Sequence, residues 1–158
     1  KRHQKELWSG LIDGTINCIA TDHAPHTLEE KSLPYGEAPS GMPGVETSLT
    51  LILNEVSKEK ISLQDVVKWM SENPAKLYNI RNKGFIKAGY DADITIIDMN
   101  KEKIISNDFM KTKCGWTAFN GFKTKGWPIT TIVNGEIVYD NEILNMNVRG
   151  KKVTFKES

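Results

Sequence analysis

An aspartate and two histidines fall within one short stretch, Ala20-Thr21-Asp22-His23-Ala24-Pro25-His26. Carboxylate and imidazole at this density can serve a divalent cation. One Asp22 oxygen on a metal leaves the other to take a proton from metal-bound water, and the imidazoles supply a further ligand or a donor to an anion. Spacing alone leaves a second reading open, in which Asp22 caps the next element and His23 and His26 are ordinary loop side chains. The elements that carry these residues bear on the choice.

Leu7, Trp8, Leu11 and Ile12 recur at helical spacing and Gly14 stands where a helix end favours positive φ, which predicts a first helix. Ile16 to Thr21 carries apolar and β-branched residues on both faces, as a parallel strand buried beneath helices does. That strand ends at Asp22. From His23 to Gly44 there is no period, and Pro25, Pro34, Pro39 and Pro43 mark a long loop of the kind that usually carries function. In β/α folds the carboxyl ends of parallel strands form the active-site face, so Asp22 stands where catalytic groups are placed.

Helical spacing returns from Val45 to Val56, and a second helix follows Ser62 as N-cap with Asp65 three places on. Asn73-Pro74 then restarts the chain, cap before proline, into a short helix through Leu77 and Ile80. Beyond Gly84 the pattern turns to strands: 92–97, 103–105, and 129–133 with 136–139 around the hairpin pair Asn134-Gly135, with 152–155 as one more. The expected division is a β/α part over 1–83 and an all-β part over 84–158.

The composition narrows the function. At 158 residues, 39% apolar and 26% charged, the chain is about one folded domain's worth, and a net charge of +1 gives no field for gripping nucleic acid or an anionic membrane. No apolar run approaches the roughly 20 residues of a membrane span, so the default expectation is a cytoplasmic protein. Cys18 and Cys114 show neither disulfide density nor metal spacing and read as reduced thiols. Trp8, Trp69, Trp116 and Trp127 read as core or interdomain anchors, and Glu29-Glu30-Lys31 as solvent-facing loop charge.

Beyond these patterns, Ile19-Ala-Thr-Asp-His-Ala-Pro-His26, with Thr27 and Glu29-Glu30-Lys31 after it, resembles the eighth-strand signature of the dihydroorotases, cyclic amidohydrolases of the amidohydrolase superfamily. Ala38-Pro-Ser-Gly41 and Gly44-Val-Glu-Thr47 resemble the loop and helix that follow in that family, and Asn73-Pro-Ala-Lys-Leu77 its next helix. Gly84-Phe-Ile-Lys-Ala-Gly-Tyr-Asp-Ala-Asp-Ile94 is similar to the superfamily's return into a small β-sandwich, and Trp116-Thr-Ala-Phe-Asn-Gly121 and Thr131-Ile-Val-Asn-Gly135 to its tail. The chain departs in Ser40, where many bacterial members have Phe, and in Ala118, where many have Pro.

The resemblance implies an α/β fold: the C-terminal part of a metal-dependent (β/α)8 TIM barrel, with part of a small β-sandwich domain. It implies interconversion of L-dihydroorotate and N-carbamoyl-L-aspartate in pyrimidine synthesis, with one or two Zn2+ ions. Asp22 would be a metal ligand and the general base and acid. His26 would hold the substrate carboxylate, the backbone of Pro39, Ser40 and Gly41 would line the ring, and His23 would have a supporting or packing role. Dihydropyrimidinases, hydantoinases and allantoinases share the Asp-His pair, and His26 separates the dihydroorotases from them. The family's first-strand His-x-His, its bridging lysine or acid and two further histidines are not found here, so the chain reads as a C-terminal piece. One carboxylate does not hold zinc, which takes about three protein ligands, and one strand does not close a barrel of about 250 residues. The segment alone is therefore expected to be inactive, with the rest of its barrel as first partner and a homodimer or association with aspartate transcarbamoylase beyond it. A non-catalytic scaffold subunit is the alternative of a different class.

Overall fold

The structure, a computed structural model, describes residues 2–156. Two compact units alternate along the chain. One takes Lys1–Ala20, Ile61–Ile97 and Ile129–Ser158, the other Thr21–Lys60 and Asp98–Pro128.

The first unit begins with α1 (Arg2–Asp13), which buries Leu11 and ends as expected at Gly14, φ +87. The strand expected over 16–21 does not form. Ile19 N–H bonds the Trp69 carbonyl and the Asn17 carbonyl accepts from Asn73 Nδ2. A parallel strand is made by its neighbours' ladder bonds, and none runs beside these residues among those described.

The helix α4 (Leu63–Val67) starts at Ser62 through the capping box its sequence spells: Ser62 Oγ accepts from Asp65 N–H and Asp65 Oδ2 from Ser62 N–H. The Ser62 hydroxyl, donating to Asp65 Oδ2 at 2.7 Å, and then the Ser62 N–H hold the Asp65 carboxyl below its ordinary range. Asn73, however, caps no new helix. The chain continues from α4 through a π turn (Lys68–Glu72) into α5 (Asn73–Leu77) without a break. Pro74 has no N–H to offer the ladder, and the Asn73 N–H reaches back five residues to the Lys68 carbonyl, so one residue of slip carries the helix past the proline. Trp69, Val66, Ala75 and Ile61 form the core here.

Gly84, at φ +86, passes so close to this helix that an added Cβ would lie 2.5 Å from Ala75 Cβ and 2.9 Å from the Ser71 carbonyl oxygen. Replacing it with alanine combines left-handed strain with a backbone clash. Gly84→Ala is expected to lower the melting temperature by about 5 °C or more, read by calorimetry, and an unchanged transition would show that the contact gives way freely. Beyond it Lys83 Nζ bonds Asp91 and Asp93, and Asp93 Oδ1 accepts from Asn134 N–H at 2.7 Å. Burial pushes the Asp93 carboxyl up, but the bonds from Lys83 and Asn134 outweigh it and hold it below its usual range.

The strands are β1 (Ile94–Ile104), β2 (Lys123–Val133), β3 (Glu136–Asp140) and β4 (Ile143–Leu144), in one sheet of order β1-β2-β3-β4. The two strands expected over 92–97 and 103–105 are one, β1, which neighbours the equally long β2 in the sheet. Asn134 and Gly135, φ +51 and +85, make the tight turn that pairs Val133 with Glu136. The strand expected over 152–155 shrinks to a single bridge between Phe155 and Ile80.

In the second unit α2 (Leu28–Lys31), one short turn of helix, interrupts the loop expected over 23–44, and α3 (Val45–Val56) follows it. α3 buries Thr47, Thr50 and Leu53, and Thr50 Oγ1 donates to the Gly126 carbonyl at 2.7 Å. Among the described residues no helix is long and apolar enough to cross a membrane.

Candidate active site

All five residues singled out for chemistry, with His23, lie in the second unit. Asp22 takes φ +43, a left-handed conformation that aspartate tolerates better than most residues, and its side chain is exposed. Its carboxylate has no hydrogen-bond or ion-pair partner among the described residues. It is not an N-cap. The next helix, α2, is capped by Thr27, whose Oγ1 accepts from Glu30 N–H at 3.2 Å while Glu30 Oε2 accepts from Thr27 N–H at 2.7 Å. Capping the next element is therefore not its role, and the carboxylate faces solvent on left-handed backbone.

His23 is employed structurally. Gly44, the N-cap of α3, has no side chain to satisfy the helix's first amides, and His23 Nδ1 takes them instead, accepting from Gly44 N–H at 3.1 Å and Val45 N–H at 3.4 Å. A ring accepting at Nδ1 carries its proton on Nε2. The same junction is closed by the parallel bridge between His23 and Met42 and by Ala24 N–H on the Met42 carbonyl at 3.1 Å.

His26 follows at the start of α2. Its backbone carbonyl accepts from Trp116 Nε1 at 2.7 Å, and its half-buried imidazole places Nδ1 3.7 Å from Glu30 Oε2. Across the loop, Lys31 Nζ donates to the carbonyls of Pro39 at 2.7 Å and Gly41 at 3.1 Å. Gly41, φ +107, passes directly against Ala24. The structure thus sets 22–26 beside 39–44 and ties both to α2. Glu29 and Glu30 face solvent as expected, while Glu30 also completes the Thr27 cap and Lys31 and Trp116 bond to distant backbone carbonyls. For Glu30 the signal was present, since Thr27-x-x-Glu30 is a capping box. For Lys31 and Trp116 no local pattern announces the partner.

Among the described residues no three of His, Cys, Asp and Glu gather as a metal would need. The unpaired Asp22 carboxylate suits one ligand position, and His23 Nδ1 is already committed to α3. Asp22 could serve as one ligand, and the described residues do not by themselves complete a metal site.

The family model described as Amidohydrolase family matches residues 1–138. The dihydroorotase of Pyrococcus furiosus is 43% identical over 150 residues, covering 95% of this chain and 34% of its own. That of Bacillus cytotoxicus is 42% identical over 143 residues, 90% of this chain and 33% of its own. Among solved structures, the D-hydantoinase (dihydropyrimidinase) from Thermus sp. matches with a TM-score of 0.84 at 29% identity, over 90% of this chain and 32% of its own. The L-hydantoinase (dihydropyrimidinase) from Arthrobacter aurescens matches at 0.83 and 32% identity, over 89% and 32%. The chain spans about a third of the length of the relatives it matches.

Proposed function

The chain belongs to the amidohydrolase family, and from that premise we propose that it is the C-terminal part of a dihydroorotase, a cytoplasmic enzyme of pyrimidine synthesis that interconverts L-dihydroorotate and N-carbamoyl-L-aspartate. Residues 1–83 would complete a (β/α)8 barrel contributed by the rest of the protein, and 84–158 would belong to a β-sandwich beside it.

Zinc, when bound, would polarise the ring amide and acidify the attacking water, with Asp22 as one ligand and the others outside this chain. Asp22 takes the proton of the attacking water and delivers it to the ring nitrogen as the amide bond breaks. His26 donates to the substrate carboxylate, and amide groups of the loop at Pro39, Ser40 and Gly41 line the ring. The observation that carries the reading is the Asp22 carboxylate, unpaired and displayed on strained backbone beside that loop.

A hydantoinase or dihydropyrimidinase is the second reading, favoured by the structural matches. Identity to the dihydroorotases is higher, 43% against 29% and 32%, and His26 is the side chain with a use for a substrate carboxylate that hydantoin and dihydrouracil lack. The test is a panel of dihydroorotate, dihydrouracil and hydantoin given to the complete zinc-loaded protein. Dihydroorotate is expected to be preferred by about a hundredfold in kcat/KM, and His26→Ala to erase most of that preference. Preference for hydantoin would establish the second reading. A folded, zinc-supplied protein that turns over none of the three would point to a non-catalytic subunit.

A further inference from the structure

Lys31 ends α2, and its half-buried ammonium turns onto the loop that follows, bonding the carbonyls of Pro39 and Gly41 together. These residues are two apart, so one cation grips the stretch on both sides of Ser40. Pro39 has no N–H, and the amide groups left without a partner among the described residues are Ser40 N–H, Ser40 C=O and Gly41 N–H. At its other end α2 is anchored too: Trp116 Nε1 holds the carbonyl of His26, the residue before the Thr27 cap. A single short turn of helix therefore lies between the imidazole of His26 and the backbone of residues 39–41.

We propose that Lys31 is a positioning residue, whose ammonium holds the Pro39 and Gly41 carbonyls so that the free amide groups around Ser40 are fixed for a cyclic amide at a set distance from His26. This rests on the reading of residues 39–41 as the ring-lining loop. An ammonium offers three donors and spends two here, and charge-assisted bonds to carbonyls are stronger than neutral ones. Methionine has similar reach without a donor, whereas an arginine fork can bond two acceptors again. Because the freed loop would bind ring and transition state equally poorly, the loss belongs in KM.

The experiment measures kcat and KM for dihydroorotate with Lys31→Met and Lys31→Arg in the complete protein, alongside hydrogen exchange of the amides over 38–44. Lys31→Met is expected to raise KM by about tenfold or more, with kcat within about threefold, and to speed exchange in the loop while α3 and the melting temperature stay as in the wild type. Lys31→Arg is expected to restore both KM and protection. Unchanged KM and exchange in Lys31→Met would overturn the proposal, as would a loss confined to kcat. A lower melting temperature with faster exchange throughout would also overturn it, showing only structural support. Should the wild type turn over no cyclic amide, the functional reading fails by itself. Exchange then decides the clamp: faster exchange confined to 38–44 upholds it, and unchanged exchange overturns it.

Discussion

Asp22→Asn in the complete protein is expected to reduce dihydroorotate hydrolysis by about a thousandfold or more while leaving the fold intact, because it removes the proton-carrying carboxylate and keeps the side chain's shape. Asparagine matches aspartate in shape and is among the residues most at ease at positive φ, so the +43° backbone at this position is not strained further. No hydrogen bond to the Asp22 carboxylate is lost among the described residues. Loss of turnover therefore cannot be charged to misfolding, and an unchanged melting temperature will document that. The amide is also a poorer metal ligand, so zinc content measured beside activity separates the two roles. Full zinc with no turnover isolates the proton transfer, and loss of both assigns Asp22 to the metal as well. Activity within tenfold of the wild type would remove Asp22 from the chemistry.

What could be read beforehand divides along the reach of the forces involved. Ser62 with Asp65, and Asn134-Gly135, determine their elements through bonds made within a few residues, and both formed as their sequences indicate. The 16–21 segment failed as a strand because a strand is a property of pairs, and its apolar pattern records a burial that these residues do not achieve by themselves. Asn73-Pro74 misled for a different reason. The cap-and-proline pattern is local, but a π turn lets the ladder slip past the missing N–H at less cost than ending the helix.

The site divides in the same way. Asp22 and His26 stood out by residue type, whereas the groups that fix their surroundings are joined across distance: His23 to Gly44, Trp116 to His26, Lys31 to Gly41. Each is a bond between a side chain and a backbone group. The backbone partner has no residue-specific signature, so no inspection of residue types could find it.

The steepest test of that joined geometry is Gly41. At φ +107 it lies outside the small left-handed region that an L-residue can enter, and a Cβ there would stand 2.6 Å from Ala24 Cβ and 3.1 Å from the Ala24 carbonyl oxygen. Neither neighbour is a flexible side-chain tip. Ala24 is tied by its N–H to the Met42 carbonyl, so an added methyl disturbs the junction between 22–26 and the loop. A shift of about 1 Å in the loop takes the Gly41 carbonyl off Lys31 and displaces the amides beside it, and misplacement of that size costs about a hundredfold in kcat/KM. Gly41→Ala is therefore expected to lower kcat/KM for dihydroorotate by about a hundredfold. Ser40→Ala, which removes an exposed hydroxyl with no partner among the described residues, is expected to stay within about twofold, because its backbone is untouched. The pair isolates main-chain geometry from side-chain chemistry one residue apart. If Gly41→Ala retained activity within threefold, the loop would not be what lines the substrate. If Ser40→Ala were the damaging change instead, the recognition would belong to a hydroxyl and not to the backbone that Lys31 holds.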